Sequence, residues 1–242
     1  MTADEPDIAA LFAPVDIGTA VLGVVAEAEA ALASVTDPVD AELWGSDVIG
    51  ALAKAAGQPR AMTALAGILV PAAEAAATVT AHGVLRVLAV LGDAALRAAA
   101  TDAALRLVKQ DVPEPSWATG LGTPLPGTCW HYADTGGSQE SVTMTFAYGT
   151  RQHGISVLVD HASGGTLKDA WLTKDDNQLL AAELTAGADP RIVFELLDPP
   201  QAAARIRQAV SAGERPEQPD QADDLTAHRS LLHARLALFP PS

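Results

Sequence analysis

Hydrophobic positions recur at helical spacing through the first part of the chain. Between Ile17 and Val35 the apolar residues fall on one stripe of a helix, and Asp16 is a suitable N-cap for it. A second helix is predicted to begin near Pro38, and further apolar stripes broken by Gly and Pro continue beyond it. We therefore predict an Ala- and Leu-rich helical bundle over residues 1–110.

The pattern changes after a segment rich in Pro and Gly, residues 111–127, which is predicted to be a linker. The run Ser141–Tyr148 (SVTMTFAY) alternates apolar and polar residues, as a strand does when one face covers a core. The run Gly154–His161 is more continuously apolar, which is typical of a central strand. Because Gly-rich turns separate these runs, residues 128–198 are predicted to form an antiparallel sheet of roughly three to five strands.

Helical spacing returns toward the C-terminus. The run Arg191–Leu197 fits either a further strand or a helical turn, and Asp198 with two following prolines is a helix start. Residues 213–224 form an acidic, Pro-containing linker that is predicted to be disordered. A final helix is expected from about Leu225 to Phe239, so residues 199–242 are assigned to C-terminal helices.

These elements together predict the α+β class, with a helical N-terminal part, a small central antiparallel sheet and a helical C-terminal part. The apolar residues of the final helix need a surface to cover. We expect that helix to dock on another part of this chain or on a second copy of it.

Composition narrows the classes of function. The chain has 242 residues and a net charge of −15, from 30 acidic and 15 basic residues. That charge argues against nucleic acid and against anionic membrane surfaces as partners, since both need clustered Lys and Arg. No apolar run reaches the ~20 residues of a membrane span, and the N-terminus lacks the positive segment of a secretory signal. We expect a soluble, cytoplasmic protein.

Charge is unevenly distributed between the helical segments. Residues 1–53 contain ten acidic residues and no Lys or Arg, whereas basic residues outnumber acidic ones over residues 60–109. One interpretation is ordinary surface charge that is paired within the molecule. The other is an acidic docking surface for a basic protein partner.

Candidate catalytic residues lie at the end of the most apolar strand. The phosphate-loop, dinucleotide-binding, zinc-protease, nucleophile-elbow and EF-hand motifs are absent from the sequence. Asp160 and His161 end the strand beside a Gly-rich turn, and Asp169 follows that turn, which is a common placement for acid–base residues. Asp160 and His161 are adjacent strand residues, however, so their side chains point to opposite faces of the sheet. The alternative is that Asp160 bonds turn amides and His161 is a surface residue.

A second possible site contains Cys129 and His131, which share one face of a strand. The sequence offers no nearby cation to lower the pKa of the thiol, so a nucleophilic pair is not favoured. A metal site of His131 with another histidine and an aspartate is not favoured by spacing either. One Cys excludes an intramolecular disulfide. We predict no metal and no cofactor.

Two segments carry a resemblance to other proteins. The sequence LVDHASGGTLKD, Leu158 to Asp169, and the sequence DPVDAELWGSDVIGAL, from Asp37, resemble a family of uncharacterised proteins of GC-rich bacteria. The resemblance implies a helical N-terminal part, a small β region and a C-terminal helix. It implies no activity, so no functional residue is carried over from it.

Two hypotheses of function follow. The first is a non-catalytic intracellular protein-interaction or regulatory protein that acts through its helical faces, with a homodimer as one of its forms. The alternative is a hydrolase-like enzyme with its site at the sheet edge around Asp160, His161 and Asp169. The absence of a strong catalytic motif favours the first.

Overall fold

The structure is a computed structural model that describes residues 17–174 and 176–240, so the predicted N-cap Asp16 lies outside the described residues. The helices are α1 (Ile17–Leu32), α2 (Pro38–Ala56), α3 (Gln58–Ala64), α4 (Val70–Ala76), α5 (Val79–Leu91), α6 (Ala94–Lys109), α7 (Asp176–Ala186), α8 (Pro199–Ala212) and α9 (Pro219–Leu236). The strands are β1 (Leu125–Asp134), β2 (Gln139–Tyr148), β3 (Arg151–Asp160), β4 (Thr166–Thr173) and β5 (Ile192–Leu197). The predicted α+β class is confirmed.

Helices α1 to α6 form a layer around one apolar core, in which Leu65, Leu69, Leu85 and Leu96 are fully buried. Many of the other core residues are Ala, and such small side chains let helix axes approach closely. Small residues also permit close contact between α2 and α9: a Cβ at Gly50 would lie 2.8 Å from the Cα of Ala227.

The five strands form one antiparallel sheet in the order β4-β3-β2-β1-β5. The alternation predicted for β2 is present, with Val142, Met144 and Phe146 facing the second apolar core. The run that was ambiguous between strand and helical turn is β5, which pairs with β1. Helices α8 and α9 supply the other side of the second core. We call this side of the sheet the core face, and the side that carries Trp130 and Ser141 the opposite face.

The C-terminal helix docks on the same chain, as one of the two alternatives expected. It packs against α2 and β4, and its residues Leu225, Leu231, Leu232 and Leu236 are buried. It begins at Pro219, so the second half of the segment predicted to be a disordered linker is helical. The capping box of Gln218 and Gln221 explains this early start.

The first half of that predicted linker is also ordered against the sheet. Leu167 donates to the carbonyl of Gly213 and accepts from the amide of Arg215. Lys168 pairs with Glu217 at 2.9 Å. Residues of this polar, acidic segment instead make backbone hydrogen bonds and an ion pair with β4. The prediction of disorder is therefore wrong here.

Acidic residues of the N-terminal segment are paired with distant basic residues. Asp37 accepts from Arg151 at 2.5 Å, and Asp40 pairs with Lys174 at 2.9 Å. These contacts join α2 to the sheet region. They support the interpretation that the charge segregation serves pairing within the molecule.

The most deeply buried ion pair among the described residues joins α2 to α9: the side chains of Glu42 and Arg235 are 0% and 1% exposed. Arg235 also donates to Nε2 of His153, at 3.2 Å from Nε and 2.9 Å from Nη2. Tyr148 donates its hydroxyl to Glu42 at 2.8 Å. The guanidinium lies over the rings of Phe146 and Tyr148, at 5.3 and 5.8 Å from their centroids. We call Glu42, Tyr148, His153 and Arg235 the buried polar network.

Within the described residues, no helix is long and apolar enough to cross a lipid bilayer.

Candidate functional site

A carboxylate on the core face of the sheet is the centre of the best-formed polar site. Glu140, near the start of β2, is only 12% exposed at its side chain. Its Oε1 lies 3.2 Å from Nε2 of His161, and its Oε2 accepts from Arg205 of α8 at 3.0 Å. Nδ1 of His131 lies 3.3 Å from Oε2, in a geometry that makes the contact electrostatic and not a hydrogen bond. We call these four residues the Glu140 cluster.

Strand pairing explains why these side chains meet. Glu140 and His131 lie on the core face of neighbouring strands, because Ala133 is opposite Glu140 and His131 is opposite Val142. His161 directly follows β3, beyond Val159, which pairs with Glu140. Arg205 reaches the cluster from α8, which packs over this face. Nε2 of His131 lies 3.0 Å from Oε2 of Glu195 of β5, within hydrogen-bond distance.

The Glu140 cluster opens into a cavity of about 380 Å³. His161 is 45% exposed and lines it together with Arg205, Gln208 and the turn glycines. Gly165 adopts a φ of +78°, a conformation that glycine reaches at little cost. A Cβ at Gly165 would lie 3.9 Å from Nδ1 of His161, so the glycine leaves this nitrogen uncovered. The arrangement places an imidazole with a carboxylate behind it at the wall of a concave space.

The three residues that the sequence suggested for a hydrolase-like site have different partners. His161 lines the cavity, whereas Asp160 and Asp169 do not. Asp160 accepts from the amide and the hydroxyl of Ser163, as the turn-bonding alternative expects. Burial opposes ionisation of Asp160, but its hydrogen bonds to Ser163 and Ala162 and the charge of Lys168 leave its pKa below the ordinary value.

Asp169 lies on β4 beside α9. Burial raises the pKa of Asp169, a hydrogen bond from the amide of Ala170 lowers it, and the carboxylates of Asp224 and Asp220 raise it. Its neighbours therefore belong to α9 and not to the Glu140 cluster. The structure brings together His161 and Glu140, and it does not bring together His161 and Asp169.

Cys129 and His131 share the core face of β1, as expected for two residues of one strand two positions apart. Burial raises the pKa of Cys129 to about 11, so the thiol is not ionised at neutral pH. His131 faces the carboxylates of Glu140 and Glu195. Over the described residues, no group of three or more His, Cys, Asp or Glu side chains could hold a metal ion.

The outer edge of β5 is a second candidate site. Strand β5 ends the sheet, and no described strand pairs with its outer edge. Thr135 donates to the carbonyl of Arg191, so the odd-numbered residues of β5 direct their backbone groups toward β1. Because these groups alternate along a strand, Ile192, Phe194 and Leu196 direct theirs outward. The edge therefore offers backbone donors and acceptors to a further strand.

Exposed apolar side chains lie on β5 and on the neighbouring elements β1 and α7. Among the large hydrophobic side chains that are exposed in residues 17–174 and 176–240, four belong to β1, α7 and β5: Leu125 at 70%, Leu184 at 51%, Val193 at 41% and Leu196 at 59%. The other edge of the sheet, on β4, is covered in part by the residues after α8 and by α9. The edge of β5 is the more open of the two.

Sequence reasoning missed Glu140 and Arg205. Glu140 lies one residue before Ser141, where the alternating pattern predicts that the strand begins. Extending the alternation of β2 by two residues would have placed Glu140 on the same face as Val142. Arg205 lies on a helix remote in sequence, and no sequence signal relates it to Glu140.

No protein-family model, curated protein or solved structure matches this chain.

Proposed function

We propose that the chain is a non-catalytic interaction protein that pairs with a second copy of itself through the outer edge of β5. The observation that carries the proposal is the open edge of β5 with exposed apolar side chains around it. Such an edge is a template for pairing with another strand, and natural proteins usually cover or charge it. The strand itself (IVFELL) contains one charged residue, Glu195.

The charge pattern at this edge favours a second copy as the occupant. Successive members of the set Arg191, Val193 and Glu195 are two positions apart, so their side chains share one face of the strand. Antiparallel pairing of two copies centred on Val193 places Arg191 of each copy opposite Glu195 of the other. The same register pairs Ile192 with Phe194, whose backbone groups point outward. The strand is therefore complementary to itself in charge and in hydrogen bonding.

Association should respond to changes of apolar side chains at this edge. Replacing both Val193 and Leu196 with Lys is expected to shift the protein to the monomer, because the added charges at position 193 would lie opposite each other and those at position 196 would add further positive charge to the paired edge. Sedimentation velocity of the full chain measures the change. The matched control replaces Leu105 and Val108 of α6 with Lys, since these are also exposed, at 54% and 49%. The control should behave as the unmodified protein does.

Salt dependence separates this proposal from binding of a basic partner. Two copies of a chain with a net charge of −15 repel each other, and salt screens that repulsion. Self-association should therefore strengthen as the ionic strength is raised from low to moderate, whereas binding of a basic protein would weaken. A monomer at every salt concentration, or equal effects of the two Lys pairs, would contradict the proposal.

A second candidate function is hydrolysis at the Glu140 cluster, favoured by the position of His161 at the cavity wall. His161 would take a proton from an attacking water through Nδ1, while Glu140 orients the ring and stabilises the imidazolium. Arg205 has N–H groups beyond the one that contacts Glu140, and these would stabilise the oxyanion. This candidate keeps one of the residues first suggested by the sequence and replaces its partners.

Loss of His161 is the test of that candidate. If the cluster hydrolyses esters, His161→Ala should lower kcat/KM for p-nitrophenyl acetate by about 100-fold or more, the contribution of a positioned general base. Asp169→Asn serves as the control, because Asp169 lies outside the cavity. A rate equal to that of imidazole in solution, or an equal loss in both variants, would remove the candidate.

A further inference from the structure

A second cavity, of about 320 Å³, lies on the opposite face of the sheet from the Glu140 cluster, beneath α7. Its walls include Tyr132, Leu158, Trp171 and Ile192, so they are mainly apolar and aromatic. Small-molecule sites are commonly cavities of this kind, with a few polar groups that orient the ligand. We call it the aromatic cavity.

A buried hydroxyl in this cavity has no partner. Ser141 is 7% exposed and lines the aromatic cavity, and its Oγ has no hydrogen-bond partner among the described residues. Elsewhere on the same face, Thr143 and Ser156 are fully buried and bond each other at 2.7 Å. An unpaired buried hydroxyl costs free energy that a ligand group would recover.

The charged groups of the cavity are acidic. Glu183 of α7, Asp134 at the end of β1 and Glu140 near the start of β2 line it, and among the described residues that line it there is no Lys, Arg or His. Glu183 accepts a hydrogen bond from the indole of Trp130, which holds the carboxylate in place. Burial raises the pKa of Glu183, and the bond from Trp130 lowers it. A cationic group bound beside Glu183 would offset the cost of that burial.

Helix α7 closes the cavity without being fixed in a core. None of its side chains that the structure describes, from Gln178 to Ala186, is buried. It makes few contacts with β3 and β5, and Glu183 bonds Trp130 of β1. A helix held this weakly can shift at low cost to admit a ligand.

We propose that the aromatic cavity binds a small organic ammonium ion with an apolar body. The rings of Tyr132 and Trp171 provide the faces that attract a cation, and Glu183 provides the counter-charge. Ser141 accepts one N–H of the ammonium group. An anionic ligand would meet the carboxylates of Glu183 and Asp134 with no cation among the described lining residues, and a neutral apolar ligand would leave Glu183 without a partner charge.

Three probes of one shape test the charge preference. The full chain is titrated calorimetrically with 2-phenylethylammonium chloride, with 2-phenylethanol and with sodium 3-phenylpropanoate, and Trp fluorescence reports on Trp171. Binding of the ammonium compound in preference to the other two is expected. Equal binding of the alcohol, tighter binding of the carboxylate, or no binding of the ammonium compound would overturn the proposal.

Variants locate the site. Glu183→Gln keeps an acceptor for Trp130 and removes the charge, and it should weaken ammonium binding about tenfold, as loss of a charge-assisted hydrogen bond does. Ser141→Ala should weaken binding several-fold without lowering the melting temperature of the free protein, because it removes an unpaired buried hydroxyl. Glu217→Gln, an exposed change that lies outside the cavity, is the control. Unchanged affinity in both Glu183→Gln and Ser141→Ala would place the ligand elsewhere and overturn the assignment.

Discussion

Replacing Glu42 with Ala is expected to lower the free energy of unfolding by about 3–5 kcal/mol, the usual cost of removing one member of a buried ion pair. The change leaves the guanidinium of Arg235 buried at 1% exposure without its carboxylate. It also removes the acceptor for the hydroxyl of Tyr148 and an acceptor for the amide of Gly122. The helical layer thereby loses its most deeply buried polar contacts with α9 and with Tyr148 of the sheet. Denaturant unfolding followed by circular dichroism measures the loss.

Glu74→Ala is the matched control for that change. Glu74 makes a two-bond ion pair with Arg106, and the pair lies at the surface of the helical layer. Solvent screens such a pair, so Glu74→Ala should lower the free energy of unfolding much less than Glu42→Ala does. Combining Glu42→Ala with Arg235→Met should cost less than the sum of the single changes, because no buried charge then remains unpaired. Additive losses would show that the ion pair is not the source of the effect.

Acid is expected to destabilise the protein through His153 before carboxylates are widely protonated. The pKa of His153 is lowered from 6.5 to about 3, first because burial disfavours the imidazolium and second because Arg235 repels it. Arg235 can only donate to Nε2, so this nitrogen is the acceptor and the neutral ring carries its proton on Nδ1. The other groups around the ring are the stacked rings of Phe146 and Tyr148, with Glu42 beyond Arg235.

The direction of this pH dependence follows from proton uptake. Between about pH 6.5 and pH 3 the unfolded chain binds a proton at His153 that the folded chain excludes. Stability is therefore fully present above pH 6.5 and falls as pH is lowered, by at most about 1.4 kcal/mol per pH unit and roughly 5 kcal/mol over the window. Denaturant titrations at a series of pH values measure it.

His153→Gln isolates the contribution of this one ring. The amide oxygen of Gln can accept from Arg235, and the side chain does not titrate. The pKa of His233 is also lowered by burial, so some loss of stability in acid should remain in the variant. The difference between the unmodified protein and His153→Gln should grow steadily from pH 6.5 downward. Parallel stability curves would show that the folded protein binds a proton at His153 as readily as the unfolded chain does, which would contradict the lowered pKa.

Local patterns in the sequence predict much of the fold, because they depend on nearest neighbours along the chain. The alternation of Ser141–Tyr148 predicts β2 and its buried face, and the observed strand adds two residues at its start. The apolar run from Gly154 predicts β3 as an inner strand, with β2 and β4 on either side. Asp93 caps α6 through the amide of Leu96, as its position at the end of a Gly-Asp break suggests.

The sites depend on contacts that no local pattern encodes. Glu42 and Arg235 are 193 positions apart, and Arg235 and His153 are 82 apart. Arg205 and Glu140 are 65 apart and lie on a helix and a strand. Each partner alone reads as an ordinary charged or polar residue of its element. Only the packing of α8 and α9 on the sheet decides which of them meet and which are buried.

Pairing of two β5 strands about Val193 fixes the distance between the Val193 residues of the two copies, and disulfide formation can test that distance. Val193 directs its backbone groups toward β1, so a second β5 would face it as a non-hydrogen-bonded pair with Cα atoms about 4.5 Å apart. That separation lies within the range that a disulfide bridges. The native Cys129 is buried and its pKa is raised to about 11, so an added cysteine would be the reactive thiol.

The deciding measurement is the yield of covalent dimer after mild oxidation of Val193→Cys, compared with Leu105→Cys on α6. If β5 pairs with its copy, the Val193→Cys protein forms a disulfide-linked dimer in high yield at low protein concentration, and the Leu105→Cys protein forms no disulfide-linked dimer. Absence of the dimer from Val193→Cys, or equal yields from the two variants, would contradict self-association through this edge.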